Sequence, residues 1–157
     1  MKRRKKIVWT NGDVFAVPLT NGSYAVGQIL DQRMVNTVRI ALFNEVISDI
    51  ENIEIEKLCT SANLISLIEV TKEQLTYDVW KIIGNKTISI AVDNYPNEKY
   101  REHKWIGSTI HDAALAEDFL NAFYCLIPWD DWYDPNYLDN YLIDISKKPL
   151  NLILVKT

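Results

Sequence analysis

The sequence predicts an α+β fold: a curved antiparallel sheet packed on one long C-terminal helix, with an N-terminal half compatible with an SH3-like barrel. Three observations carry this. Asn21-Gly22 lies between two apolar runs, Asp13–Leu19 and Tyr24–Leu30. Two further runs, Thr37–Phe43 and Leu64–Val70, are apolar and rich in β-branched residues. From Ile110 to Leu126 the apolar residues instead recur at helical spacing. Strands followed by a helix place the chain in the α+β class. Its 157 residues read as one domain, and a chain of this length buries roughly 70% of its unfolded surface without staples.

Taken in order, Met1–Lys6 reads as a solvated basic tail. Gly12–Leu30 is the organising stretch, because Asn-Gly between apolar runs is the strongest short-range hairpin signal. Its first run is apolar on both faces, with Val14 and Ala16 opposite Phe15, Val17 and Leu19, so this strand is expected to be covered on both sides. Pro18 has no N–H for a ladder. A four-residue loop, Thr20–Ser23, turns that position away from the partner strand and places Pro18 near an open edge. Gly27 marks a bulge or a close approach.

Thr37–Phe43 is a third strand with Val38, Ile40 and Leu42 on one face. Asn44–Lys57 has no clear period and reads as an irregular connection, with a short strand at Ile53–Ile55. Leu64–Val70 is a fourth strand. Thr71 with Gln74 three residues on suggests a capped helical turn. Trp80–Ile83 and Thr87–Val92 flank Gly84-Asn85-Lys86 as a second hairpin, and Asn94–Lys104 is a polar loop. Ser108 or Thr109 is the expected cap of the helix Ile110–Leu126, which Pro128 ends. A short helix, Pro135–Tyr141, follows with Asp134 as its cap. The continuously apolar Leu150–Val155 reads as a final interior strand.

Two blocks resemble a known family. Gly12–Leu19 (GDVFAVPL) with Tyr24–Leu30 (YAVGQIL), and then Trp80–Asn85 (WKIIGN), are similar to blocks of the immunity protein 26 family, known mainly from genes beside bacterial polymorphic toxins. The resemblance extends over most of the chain. It implies toxin neutralisation by binding a cognate toxin, and it brings no catalytic residues.

The residues themselves offer little chemistry. His103 and His111 have no metal-ligand spacing. Cys59 and Cys125 read as free thiols in a reducing compartment. With Ile7-Val8-Trp9 too short for a signal peptide's apolar region and no spanning run, the expectation is a cytoplasmic protein without membrane contact. Phosphate-cradling glycine patterns are absent. Ser108, His111 and a carboxylate would form a hydrolase only if they converged, and residues adjacent on a helix do not face each other. No catalytic, cofactor or metal site is therefore assigned.

Charge is distributed unevenly. The net charge is −4, yet five of the 17 basic residues are Lys2, Arg3, Arg4, Lys5 and Lys6, while Gly107–Ser146 holds eight acids and no Lys or Arg. Trp129, Asp130, Asp131, Trp132, Tyr133, Asp134, Tyr137 and Asp139 form an aromatic and acidic stretch, with Glu117 and Asp118 upstream. Trp129 and Trp132 also suit packing over the helix. Aspartates without partners do not enter cores, so the stretch reads as a surface for a basic protein, aromatics anchoring and charge steering. A toxin that is a nuclease would supply such a basic face. The alternative is a nucleic-acid-binding SH3-like domain gripping phosphates with the basic arm, which the acids of 107–146 oppose.

Overall fold

In a computed structural model that describes residues 5–155, the hairpin occupies the middle of the fold. Strands β1 (Asp13–Pro18), β2 (Tyr24–Asp31), β3 (Thr37–Ile47), β4 (Leu64–Thr71) and β5 (Lys81–Asn85) form one antiparallel sheet in the order β4-β3-β2-β1-β5. The sheet does not close. β4 and β5 are both edges, so the SH3-like barrel is replaced by an open sheet. Of the basic tail, Met1–Arg4 lies outside the described residues, and Lys5 and Lys6 are exposed.

Alternation along the strands builds two cores. Phe15, Val17, Ile29, Ile40, Leu42, Ile68 and Val70 face one side, where, after the single helical turn α1 (Glu73–Thr76) that follows β4, the helix α2 (Ala113–Phe123) lays Leu115, Ala116, Phe119, Leu120 and Phe123 against them. Val14, Val26, Leu30, Ala41 and Phe43 face the other, covered by Leu58, Cys59 and Tyr95 from irregular segments. Both faces of the central strands are thus dry, as the unbroken apolar runs require.

The hairpin register differs from expectation by one residue. Leu19 N donates to Ser23 O at 2.8 Å and Gly22 N to Leu19 O at 3.1 Å, so the loop is Thr20–Gly22, and Gly22 takes φ +89°. Pro18 pairs with Tyr24 as a non-hydrogen-bonded pair. Its missing N–H faces away from β2, beyond the last β1–β5 pair at Ala16. Gly27 makes the close approach: it pairs with Phe15, and a Cβ there would lie 2.4 Å from the Phe15 ring. On its other side Phe15 stacks on Trp80 at 5.4 Å between ring centres.

Four other expectations are corrected. Residues 87–92 do not pair as a strand. Ile88 and Ile90 alternate inward onto the second core, so the period of two was real while the ladder was not. Residues 53–55 form no strand, and Ile55–Lys57 is a 3-10 turn. The helix spans 11 residues rather than the long Ile110–Leu126. It starts late because His111 is bonded to the edge of β4, His111 N to Glu69 O and Thr71 N to His111 O, each at 3.0 Å. It ends early because Cys125 enters the left-handed region at φ +60°. Neither Ser108 nor Thr109 caps it; Thr71 Oγ1 accepts from Ala113 N at 3.0 Å instead. Finally, residues 150–155 form an exposed strap alongside residues 125–130, with Trp129 N donating to Ile153 O at 2.9 Å. The apolar run lacks a free sheet edge on that side and buries only Leu152 in part.

The fit of Phe15 over Gly27 yields a test. Gly27→Ala forces the ring or strand to move and should cost roughly 1–3 kcal/mol in urea unfolding. Combined with Phe15→Leu, the loss should be smaller than the sum of the two single losses. Simple additivity would show that the two positions do not meet.

Candidate partner-binding surface

Pro128 stops the chain after α2, and Trp129 turns back under it, fully buried against Phe119 at 5.6 Å between ring centres. An indole buried this deeply needs an acceptor for its N–H. Asp139 supplies it: Trp129 Nε1 donates to Asp139 Oδ1 at 2.7 Å, and Lys148 Nζ pairs with the same carboxylate at 2.9 Å. Asp130 is also buried and accepts from Val155 N at 2.7 Å, holding the C-terminal strap. These three members of the predicted surface are therefore internal or half-internal, and they fix the base of a loop.

The loop itself faces solvent. Asp131, Tyr133 and Asp134 are exposed, and Tyr133 projects entirely. Asp134 Oδ1 accepts from Asn136 N at 2.9 Å, which starts the 3-10 turn Tyr137–Tyr141 where a short helix was expected. Trp132 is half-buried and lies 4.7 Å from Tyr137, Tyr137 lies 5.2 Å from Tyr141, and Tyr141 meets the His111 ring edge-on at 4.7 Å. A ladder of rings thus runs from the loop to the edge of β4. Burial, reinforced by the hydrogen bond with Tyr137, raises the Tyr141 phenol, which stays neutral. Exposed Ile143, Ile145, Ile153, Leu154 and Val155 follow in the same C-terminal part of the chain.

The upstream acids take other roles. Glu117 accepts from Gln74 Nε2 at 3.1 Å and Trp80 Nε1 at 3.5 Å, on the flank of the helix towards β5. Asp118 is half-buried, and desolvation raises its carboxyl. The hydrolase trio does not assemble. Ser108 Oγ donates to Trp105 O at 2.7 Å and accepts from Arg33 Nη2 at 3.1 Å, while the His111 ring meets Tyr141 edge-on. Cys59 is buried and its thiol is pushed up to about 12 by desolvation, which leaves it protonated and inert.

A buried ionic network went unread in the sequence. Arg39, on β3, is fully buried and bonds Asp31 and Glu98, each at 2.6 Å. Glu69 accepts from Arg33, Thr37 and Asn97, each at 2.7 Å. Trp105 lies against Arg33, Arg39 and Arg101 at 4.5, 5.5 and 4.8 Å from its ring centre. The lone arginine inside Thr37–Phe43 was the available signal.

All of this network lies in the part of the chain that a family model matches. The model described as immunity protein 26 matches residues 10–105. The chain belongs to the immunity protein 26 family. No curated protein and no solved structure matches it. The part shared across the immunity protein 26 family thus holds the five strands and the ionic network, while α2, the acidic loop and the strap lie outside the match. Among the described residues, no helix is long and apolar enough to cross a membrane.

Two outcomes check this geometry. Asp139→Ala strands a buried indole N–H and should destabilise by about 1–3 kcal/mol, whereas Asp131→Asn should stay within about 0.5 kcal/mol, as read by thermal melts. Burial lowers the His111 pKa. The unfolded chain therefore takes up the proton first as pH falls through about 6.5, and stability present above that pH declines until the folded imidazole titrates. His111→Gln should flatten this decline below about pH 6.5. An unchanged slope would show that His111 is not the source.

Proposed function

We propose that the chain neutralises a toxin by stoichiometric binding, presenting the exposed loop of Asp131, Trp132, Tyr133 and Asp134 to a basic face of its partner. Membership of the immunity protein 26 family supports a toxin-neutralising role. The observation that carries the surface is a projecting tyrosine between exposed aspartates, on a loop whose base is pinned by Trp129, Asp139 and Lys148. A fixed base lowers the entropy lost on binding. An exposed aromatic supplies contact area, and unneutralised carboxylates steer a cationic partner. A nuclease is the toxin class that fits best, because its cleft must be basic to hold phosphates. The inhibitor acts as a plug and needs no cofactor.

The partner for the test is a toxic domain whose killing this chain suppresses in cells. Asp131→Asn with Asp134→Asn leaves the turn at Asn136 intact, since asparagine retains the accepting oxygen. Association with the toxic domain should slow by about tenfold at low salt and less at high salt, with the melting temperature unchanged. Equal association rates at both salt concentrations would place the interface elsewhere.

A further inference from the structure

The outer edge of β4 carries a gap in its hydrogen bonding. Antiparallel residues alternate between pointing their N–H and C=O groups at the partner strand and away from it. Glu69 O and Thr71 N are spent outward on His111, and Ile65 O accepts from Ile143 N at 2.9 Å. By the same alternation Ile68, opposite Ile40, faces β3, and Leu67 turns both its N–H and its C=O outward. Among the described residues no group takes either.

That gap opens into a trough. Two clefts, of about 420 and about 660 Å³, adjoin along β4 and share Leu67, Pro96 and Ile143. Together they run past Leu64 to Glu69, roughly 17 Å of strand. The walls are the loop after Tyr95 and the segment around Tyr141, at the end of the ring ladder. The Glu69 carboxylate bordering the trough is already saturated by Arg33, Thr37 and Asn97. What remains on offer is the donor and acceptor of Leu67, between the bonds at Ile65 and Glu69, with Leu64, Ile90 and Ile143 along one stretch of the wall and Asn97, Lys99 and Asn140 along the other. A helix or a compact ligand does not match that pair; an extended backbone does.

We infer that this trough is a docking slot for an extended segment of the partner protein, with apolar and polar side chains alternating to match its mixed lining, which pairs its backbone with β4 at Leu67. The inference rests on the protein-binding reading above but uses different residues. It assigns the acidic loop to encounter and the β4 edge to register.

The slot is tested first without any toxin. In the free chain, the Leu67 amide should exchange far faster than that of Ile68. The peptide Ac-TVTVT-NH2 should shift the Leu67 signal saturably and slow its exchange at least about tenfold, and the same peptide N-methylated at alternate residues should do neither. Leu67→Pro removes the outward N–H without touching the β3 ladder, and Ala91→Trp plugs the trough from an exposed wall position. Each variant that melts like the parent should lose peptide binding and bind the toxic domain at least about tenfold more weakly. A Leu67 amide as protected as that of Ile68 in the free chain would overturn the inference, as would a peptide that leaves it unmoved. Folded Ala91→Trp with full toxin affinity would also overturn it. A chain that takes the peptide at Leu67 yet binds no toxin would instead count against the toxin reading alone.

Discussion

A buried guanidinium organises the second face of this protein. Arg39 sits in the middle strand with its side chain out of water, where burial opposes its charge, yet the bonds to Asp31 and Glu98 outweigh that and hold its pKa above the ordinary arginine value. Removing one partner from such a pair costs about 3–5 kcal/mol, because the remaining charge is stranded. Glu98 and Pro96 O therefore fasten the loop after Tyr95 to the sheet, and Tyr95 closes the second core. Trp105 covers the arginines from outside. The same fastening sets one wall of the trough at β4.

The elements legible in the sequence were those governed by local rules. The hairpin, β3 and β4 followed from turn chemistry and from runs of β-branched residues. The double burial of β1 followed from apolar side chains on both of its faces. What failed was decided at a distance. The alternation of residues 87–92 is identical whether an extended segment pairs or merely packs, and the pairing with β1 gets no further than the bond from Lys86 N to Gly12 O. The helix lost its first turn to the edge of β4, a competitor some forty residues upstream. The strap at 150–155 is apolar enough for a strand but arrives where Trp129 and Asp130 offer only isolated bonds. Arg39 looked like the polar side of a half-buried strand, and nothing local announced that its partners were Asp31 and Glu98.

The acidic stretch divides in a way that sequence could not anticipate. Asp139 found its cation in Lys148, nine residues on and just beyond the segment free of basic residues. Asp130 accepts from the backbone amide of Val155. These internal carboxylates make the loop a fixed object, and Asp131 and Asp134 remain on its exposed rim. Residues 10–105, the part the family model matches, hold the five strands, and the chain beyond them supplies both the helix that completes the first core and the exposed loop.

Recognition by that loop is the central claim, and carboxylate footprinting of the complex measures it most directly. With the chain labelled by carbodiimide and a nucleophile, free and bound to the toxic domain it neutralises, Asp131 and Asp134 should become protected. Asp49 and Glu51, exposed in other parts of the chain, should label equally in both states. Protection at Asp49 or Glu51 with unchanged labelling of Asp131 and Asp134 would contradict the account.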